Sequence, residues 1–282
     1  LYQDGLIVRA DPEEAARWYR RAAEAGDANG QNDYGQMLFS GKGIAQNRKE
    51  AARWFDKAAR QGHAEARLRL AVQLLAGDGI AADPEKAVSL LQQAALTGNP
   101  KAETLLGAAY AGGTGVEQNT AKTLYWLEKA AAHGEPNAQY ELSRIYQDGQ
   151  LVPKDELRAR QWLEKAAENG QRDAQYRLGI FCHDGVHVPQ NLKTARRWYR
   201  KAALQGHPGA QYRLGLSLLD GEGGDKNPQE AFGWLEKAAE NGVAEARYLL
   251  RQHGHSGNRS VAAPAPAHDW PEKIPRQIPA RP

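Results

Sequence analysis

Apolar residues recur along this chain at spacings of three and four. From Asn47 to Gly62, the residues Ala51, Trp54, Phe55, Ala58 and Ala59 fall at i, i+3, i+4, i+7 and i+8, which is one stripe of an α-helix. Arg53, Asp56, Lys57 and Arg60 lie off that stripe and are expected in solvent. Asn47 stands just before the stripe and Glu50 three places on, the spacing of a capping box. Gly62 is placed to stop the helix. A second stripe follows, made of Ala66, Leu70, Ala71 and Leu74, and Gly77 and Gly79 end it. The unit is therefore two antiparallel helices joined by short turns. No segment alternates with the period of two that a strand requires.

The same pair recurs. The phrase WLEKAAENG occurs at Trp162–Gly170 and again at Trp234–Gly242, 72 residues apart. In rows of 36, the terminal glycine forms a column: Gly26, Gly62, Gly98, Gly134, Gly170, Gly206 and Gly242. Seven copies in register without an insertion define a repeat architecture. The cap column reads Asp11, Asn47, Asp83, Asn119, Asp155, Asn191 and Asn227, all residues that favour a helix start. The small residue after the leucine of the second helix, as in Gly179 and Ala71, is expected to let a partner backbone approach. The column Trp18, Trp54, Leu90, Trp126, Trp162, Trp198, Trp234 lies with the alanines and is expected in the core. The basic column Arg21, Lys57, Lys129, Lys165, Lys201, Lys237 is expected to be a solvated outer face, compensated by neighbours such as Asp56 and Glu128.

Composition narrows the functional classes. The 282 residues carry a net charge of +3, with acids and bases mixed throughout, so no nucleic-acid partner is expected. Cys182 is the single cysteine, which rules out an intramolecular disulfide. No stretch approaches the roughly 20 apolar residues of a membrane span. The opening LYQDG matches IYQDG at Ile145–Gly149, so the chain is expected to begin at the end of a repeat whose start precedes it. The repeats are expected over 1–252 and a proline-rich extended tail over 253–282. Near its end the tail has a period of four, Trp270-Pro271, Ile274-Pro275 and Ile278-Pro279. An apolar residue before proline is pushed extended, so polyproline II is expected there. The segment reads either as a linker or as a short motif anchored by Trp270, Ile274 and Ile278.

Catalytic patterns are missing. His183 and His187 are four apart, but Gly185 lies between them in a turn, and no third ligand has metal-site spacing. No G-x-S-x-G and no phosphate loop occurs. Cys182 falls on the packing stripe and reads as a buried apolar residue. No cofactor and no metal are expected, and the chain is read as a non-enzyme.

The phrase A-Q-Y-R-L-G at Ala174–Gly179 and Ala210–Gly215, the glycine pair Gly41 and Gly43, and K-A-A-x-x-G resemble the Sel1-like repeat, a relative of the tetratricopeptide repeat. The resemblance implies an all-α, right-handed α-solenoid of seven helix-turn-helix repeats that binds a protein or peptide in its concave groove as a scaffold or adaptor. It also implies a setting in a bacterial cell envelope ahead of the cytoplasm. A cytoplasmic adaptor using the same groove is the second reading, and a cell-wall or β-lactam hydrolase the third. Cysteine-rich relatives carry a cysteine pair in each repeat, which this chain lacks, so hydrolase activity is not carried over.

In the tetratricopeptide relatives the helix bearing L-G lines the groove. Carried over, that places Tyr140, Tyr176, Tyr212 and Tyr248 on the groove side, with Arg144, His183, Asp148, Asp184 and Asp220 around them. The tyrosines read either as packing residues or as an aromatic ladder rimmed by acids, suited to an extended peptide with basic and apolar side chains. The tail has such side chains and is expected as a ligand, in cis or in trans.

Overall fold

The computed structural model describes residues 11–186 and 188–253. The tail positions Trp270, Ile274 and Ile278 lie outside the described residues. The described residues form helices and turns without strands, and they fall into two compact units that meet at Gln171 and Arg172. The first unit holds α1 (Pro12–Glu24), α2 (Ala28–Ser40), α3 (Arg48–Arg60), α4 (Ala64–Ala76), α5 (Pro84–Leu96), α6 (Pro100–Gly112), α7 (Thr120–Ala132), α8 (Pro136–Asp148) and α9 (Glu156–Glu168). The second holds α10 (Arg172–Asp184), α11 (Leu192–Leu204), α12 (Pro208–Asp220), α13 (Pro228–Glu240) and α14 (Ala244–Gln252). Within each unit, consecutive helices pack against one another.

The odd-numbered helices start as the cap column predicts. The side chains of Asp11, Asn47, Asp83, Asn119, Asp155, Asn191 and Asn227 each accept from the backbone N–H three residues on. The reciprocal half of the capping box is not made at Asn47. Its backbone N–H is already committed to the Leu38 carbonyl at 2.8 Å, so Glu50 turns to Arg53 at 2.9 Å. The same tie recurs from Asp83 to Leu74 and from Asn227 to Leu218 and fastens each odd helix to the one before it. The even-numbered helices from α2 to α12 end on a left-handed glycine, such as Gly41 at φ 72°, whereas α14 ends on His253. The second glycine of the turn has a separate reason. A Cβ on Gly43 would run into the Pro12 carbonyl, and one on Gly223 into that of Leu192.

In each unit the core sets leucines of the even helices against leucines and a ring of the odd ones. Leu70, Leu106, Leu142 and Leu214 are buried on the even helices, against Phe55, Leu91, Leu127, Leu163, Tyr199 and Leu235 on the odd ones. The small residue in the leucine-glycine column makes room for a side chain of the next helix, and a backbone carbonyl of that helix also comes close, as expected: Ala51 O lies 3.4 Å and Ala195 O 3.5 Å from a Cβ built on Gly35 and Gly179. A Cβ on Gly35 would lie 2.7 Å from the Phe55 ring, and one on Gly179 2.6 Å from the Tyr199 ring. Each large buried side chain of this kind is worth about 1.5–3 kcal/mol.

The tryptophan column corrects the expectation of a core position. Trp18 is 51% exposed, Trp54, Trp126, Trp162 and Trp198 are half-buried, and Trp234 alone is buried. The residue after the tryptophan takes the core site instead. The open ring face is covered by the basic column, three residues on: Lys57 Nζ lies 3.7 Å from the Trp54 centroid and Lys201 Nζ 4.2 Å from that of Trp198. Those bases therefore act as cation–π lids on the tryptophans, a use the sequence reading missed.

A polar joint also repeats. Gln31, Gln139, Gln175 and Gln211 are buried, and each accepts through its side-chain oxygen from the residue 30 places on: Gln61, Asn169, Gln205 and Asn241. At the third joint a fully buried Glu103 takes the glutamine's place and meets His133 at 2.9 Å and Lys129 at 3.0 Å. A buried carboxylate requires such partners, because desolvation alone would expel it.

Candidate functional site

The groove candidates occupy unlike settings in the two units. In the first, Tyr140 is buried at 5% exposure, Arg144 pairs with Glu141 on its own helix at 3.2 Å, and Asp148 is exposed. In the second, Tyr176 and Tyr212 are half-buried and Tyr248 is 44% exposed. Tyr212 packs against the α13–α14 core, and the Tyr248 hydroxyl accepts from Gln252 at 2.7 Å. Asp184 and Asp220 are exposed at the ends of α10 and α12.

The second unit gathers its polar groups around Tyr176. That ring stacks on His207, with centroids 4.2 Å apart and planes 29° apart. His207 caps α12: its Nδ1 accepts from the Ala210 amide at 3.1 Å. A ring nitrogen that accepts carries no proton, so the imidazole is neutral with its hydrogen on Nε2. Burial agrees, holding the His207 pKa down from 6.5 to about 4. Gly209 leaves space for the phenol, since a Cβ there would lie 2.9 Å from the ring carbon that bears the hydroxyl. Arg213 hydrogen-bonds the Tyr176 hydroxyl.

Behind this lies Tyr199, its ring 6.1 Å from that of Tyr176. It is 1% exposed, and its hydroxyl has no hydrogen-bond partner among the described residues. On the open side His183 stands between two carboxylates, Nδ1 at 2.6 Å from Asp184 and Nε2 at 3.3 Å from Glu222. The structure thus brings together Tyr176, His183 and Asp184 from the sequence-predicted set.

Tyr199, Arg213, Glu222 and His207 were missed. Tyr199 had a weak signal in the rows: its column reads Tyr19, Phe55, Leu91, Leu127, Leu163 and Leu235 elsewhere, so a hydroxyl recurs there only at Tyr19. Gly209 is likewise the one glycine in a column of Asn29, Glu65, Lys101, Asn137, Asp173 and Glu245.

Burial pushes the Tyr176 and Tyr199 hydroxyls above their usual range, so neither ionises near neutral pH. Cys182 is buried on the packing side of α10. Among the described residues, no group of three or more His, Cys, Asp or Glu is placed to hold a metal ion. What remains is an aromatic face, hydroxyls that can form hydrogen bonds, and the carboxylates of Asp184 and Glu222. That set suits an apolar side chain beside a cationic one.

The comparisons with known proteins agree on the architecture. The family model for the Sel1 repeat matches residues 1–27, 28–63, 64–99, 100–135, 136–171, 172–207 and 208–243. The crystal structure of a Sel1 repeat protein from Oxalobacter formigenes is 38% identical, with a TM-score of 0.75, covering 90% of this chain and 73% of that one. The structure of c5321, described as a protective antigen present in uropathogenic Escherichia coli strains and displaying an SLR fold, is 30% identical with a TM-score of 0.66. The match covers 86% of this chain, which spans 53% of that antigen's length. Immunity protein Pa5087 from Pseudomonas aeruginosa shares the fold at 22% identity and a TM-score of 0.52, covering 80% of this chain and 81% of its own. Comparison with proteins of curated function finds no match. Among the described residues, no helix is long and apolar enough to cross a membrane.

Proposed function

Because the chain belongs to the Sel1 repeat family, whose repeats generally form non-catalytic scaffolds that bind protein partners, we propose that it is a non-enzymatic scaffold holding a protein or peptide at the Tyr176 cluster of its second unit. The observation that carries this reading is the Tyr199 hydroxyl, buried and without a partner among the described residues, behind a tyrosine whose room depends on Gly209. A buried donor left unmatched costs about 1–3 kcal/mol, and a scaffold position gains nothing from it. A ligand reaching past Tyr176 would supply the partner. Asp184 and Glu222 would hold a lysine or arginine of that ligand. We place the assembly at the bacterial cell envelope, a setting supported by the description of the Escherichia coli family member as a protective antigen.

The test is affinity capture from the source cell's extract with two baits, read by mass spectrometry. One bait is the parent chain. The other carries Tyr176→Ala and Asp184→Lys, with circular dichroism to show that it folds. A partner kept by the first and lost by the second supports the site. A partner kept equally by both removes the Tyr176 cluster from recognition.

A further inference from the structure

A second feature of the same unit lies on α11 and faces the turn before α13. A cleft of about 410 Å³ opens there, lined by Lys193, Arg196, Arg197, Arg200 and Lys226. The first four stand at i, i+3, i+4 and i+7, on one face of the helix. We propose that this cleft is a separate recognition site for an acidic segment of a protein partner.

Register makes the case. At the position of Arg200 the other odd helices carry Asp56, Glu128, Glu164 and Glu236, with Gln92 in α5 and Arg20 in α1. At the position of Arg196 they carry Ala16, Ala52, Val88, Leu124, Arg160 and Phe232. α11 alone places cations at all four positions. Like charges at such spacings destabilise a helix by a few tenths of a kcal/mol per pair. The solenoid does not require them, since α3 packs in the same way with Ala52 and Asp56.

The cations are also poorly neutralised. Arg200 is paired with Glu230 at 2.6 Å. Arg196 is held by both terminal nitrogens on the Asp225 carbonyl, at 3.1 and 3.0 Å, which fixes its plane, and it shares Glu230 with Arg200 as its nearby negative charge. Lys193, Arg197 and Lys226 pair with no carboxylate among the described residues. Apart from Glu230, the carboxylate at hand is that of Asp225 in the lining itself.

The shape selects the partner. The basic face covers seven residues of helix, about 10 Å, which suits two or three carboxylates and is too short to track a nucleic-acid backbone. Arg196 and Arg200 are engaged on Asp225 and Glu230, so the Arg197 fork and the Lys193 ammonium are the groups that would take the carboxylates of a ligand.

The experiment uses the full chain and a fluorescein-labelled peptide of about eight residues, mostly Glu and Asp, followed by anisotropy. Saturable binding near neutral pH that weakens about tenfold on raising salt from about 50 to 200 mM is expected. The variant Lys193→Glu/Arg197→Glu changes two exposed side chains, and its fold is checked by circular dichroism. It should bind at least about tenfold more weakly. The matched control Lys49→Glu/Arg53→Glu in α3 should bind like the parent. Tyr176→Ala should also bind like the parent, which separates this site from the Tyr176 cluster. Equal binding by parent and Lys193→Glu/Arg197→Glu would overturn the proposal. So would absence of peptide binding at millimolar concentration, or capture by phosphatidylglycerol vesicles without peptide binding.

Discussion

Helices α3 and α11 solve one packing problem with nearly one sequence. Both carry the stripe Ala51/Ala195, Trp54/Trp198, Ala58/Ala202 and Ala59/Ala203, both cover the tryptophan with a lysine, and both start on an asparagine cap. They differ toward their ends at Arg48/Leu192, Glu50/Thr194 and Arg60/Leu204, and in the middle at Ala52/Arg196, Phe55/Tyr199 and Asp56/Arg200. In α3 the three middle positions are an apolar contact, a ring in the core, and an acid paired with Arg60 at 2.7 Å and Lys86 at 3.9 Å. In α11 they supply two cations of a basic cleft and a buried hydroxyl. The shared positions hold the repeat together, and the three middle differences add chemistry that packing does not need.

The largest effect expected is at the shared core site. Phe55→Ala should lose about 3–5 kcal/mol in urea unfolding, and Tyr199→Ala a similar amount. A small loss at Tyr199 would break the equivalence of the two rings.

Next comes a difference in pH response. His63 and His207 both cap even helices, and burial depresses His207 to about 4 from 6.5. In the unfolded chain this imidazole takes up its proton near pH 6.5, and in the folded chain near pH 4. Its contribution is therefore complete above about pH 6.5 and lost as pH falls toward about 4. His207→Asn keeps a capping residue and removes the titration. Between about pH 7.5 and pH 5, the parent should lose roughly 2 kcal/mol more than the variant. Parallel losses would show that His207 titrates alike in both states.

Tyr199→Phe sharpens the contrast further. It makes α11 resemble α3 and removes an unpartnered buried hydroxyl, so stability should rise by about 1 kcal/mol while partner capture weakens. A loss of stability would mean that the hydroxyl serves the fold. Last, Lys57→Ala and Lys201→Ala should each cost about 0.5–1 kcal/mol, equally in the two helices. A clear inequality in urea midpoints would argue against a common lid.

The fold was legible because its signals are local and repeated. The cap column, the terminal glycines and the alanine–leucine stripes each act within one or two turns. The tryptophan was misplaced because a stripe wide enough to hold both Trp54 and Phe55 does not say which ring turns inward. Only the ring pressed into Gly35 decides that. The buried Gln31–Gln61 joint was invisible because its partners lie 30 residues apart and neither is apolar. Of the candidate site, Tyr176, His183 and Asp184 could be read from their columns. Arg213, Glu222 and His207 reach it from other helices and turns, so no single column names them together. The basic face of α11 lay open in the rows at i, i+3, i+4 and i+7, but averaged net charge concealed it.

The most direct test gives α11 two residues of α3, Arg196→Ala and Tyr199→Phe, in one chain and leaves the Arg200–Glu230 pair in place. The quantity to measure is the fraction of a captured partner that this variant retains, beside its urea midpoint. The account predicts a midpoint equal to or above the parent's, with partner retention lost. An unfolded variant would show that these residues serve the scaffold. A folded variant that keeps its partner undiminished would show that recognition lies elsewhere in the chain.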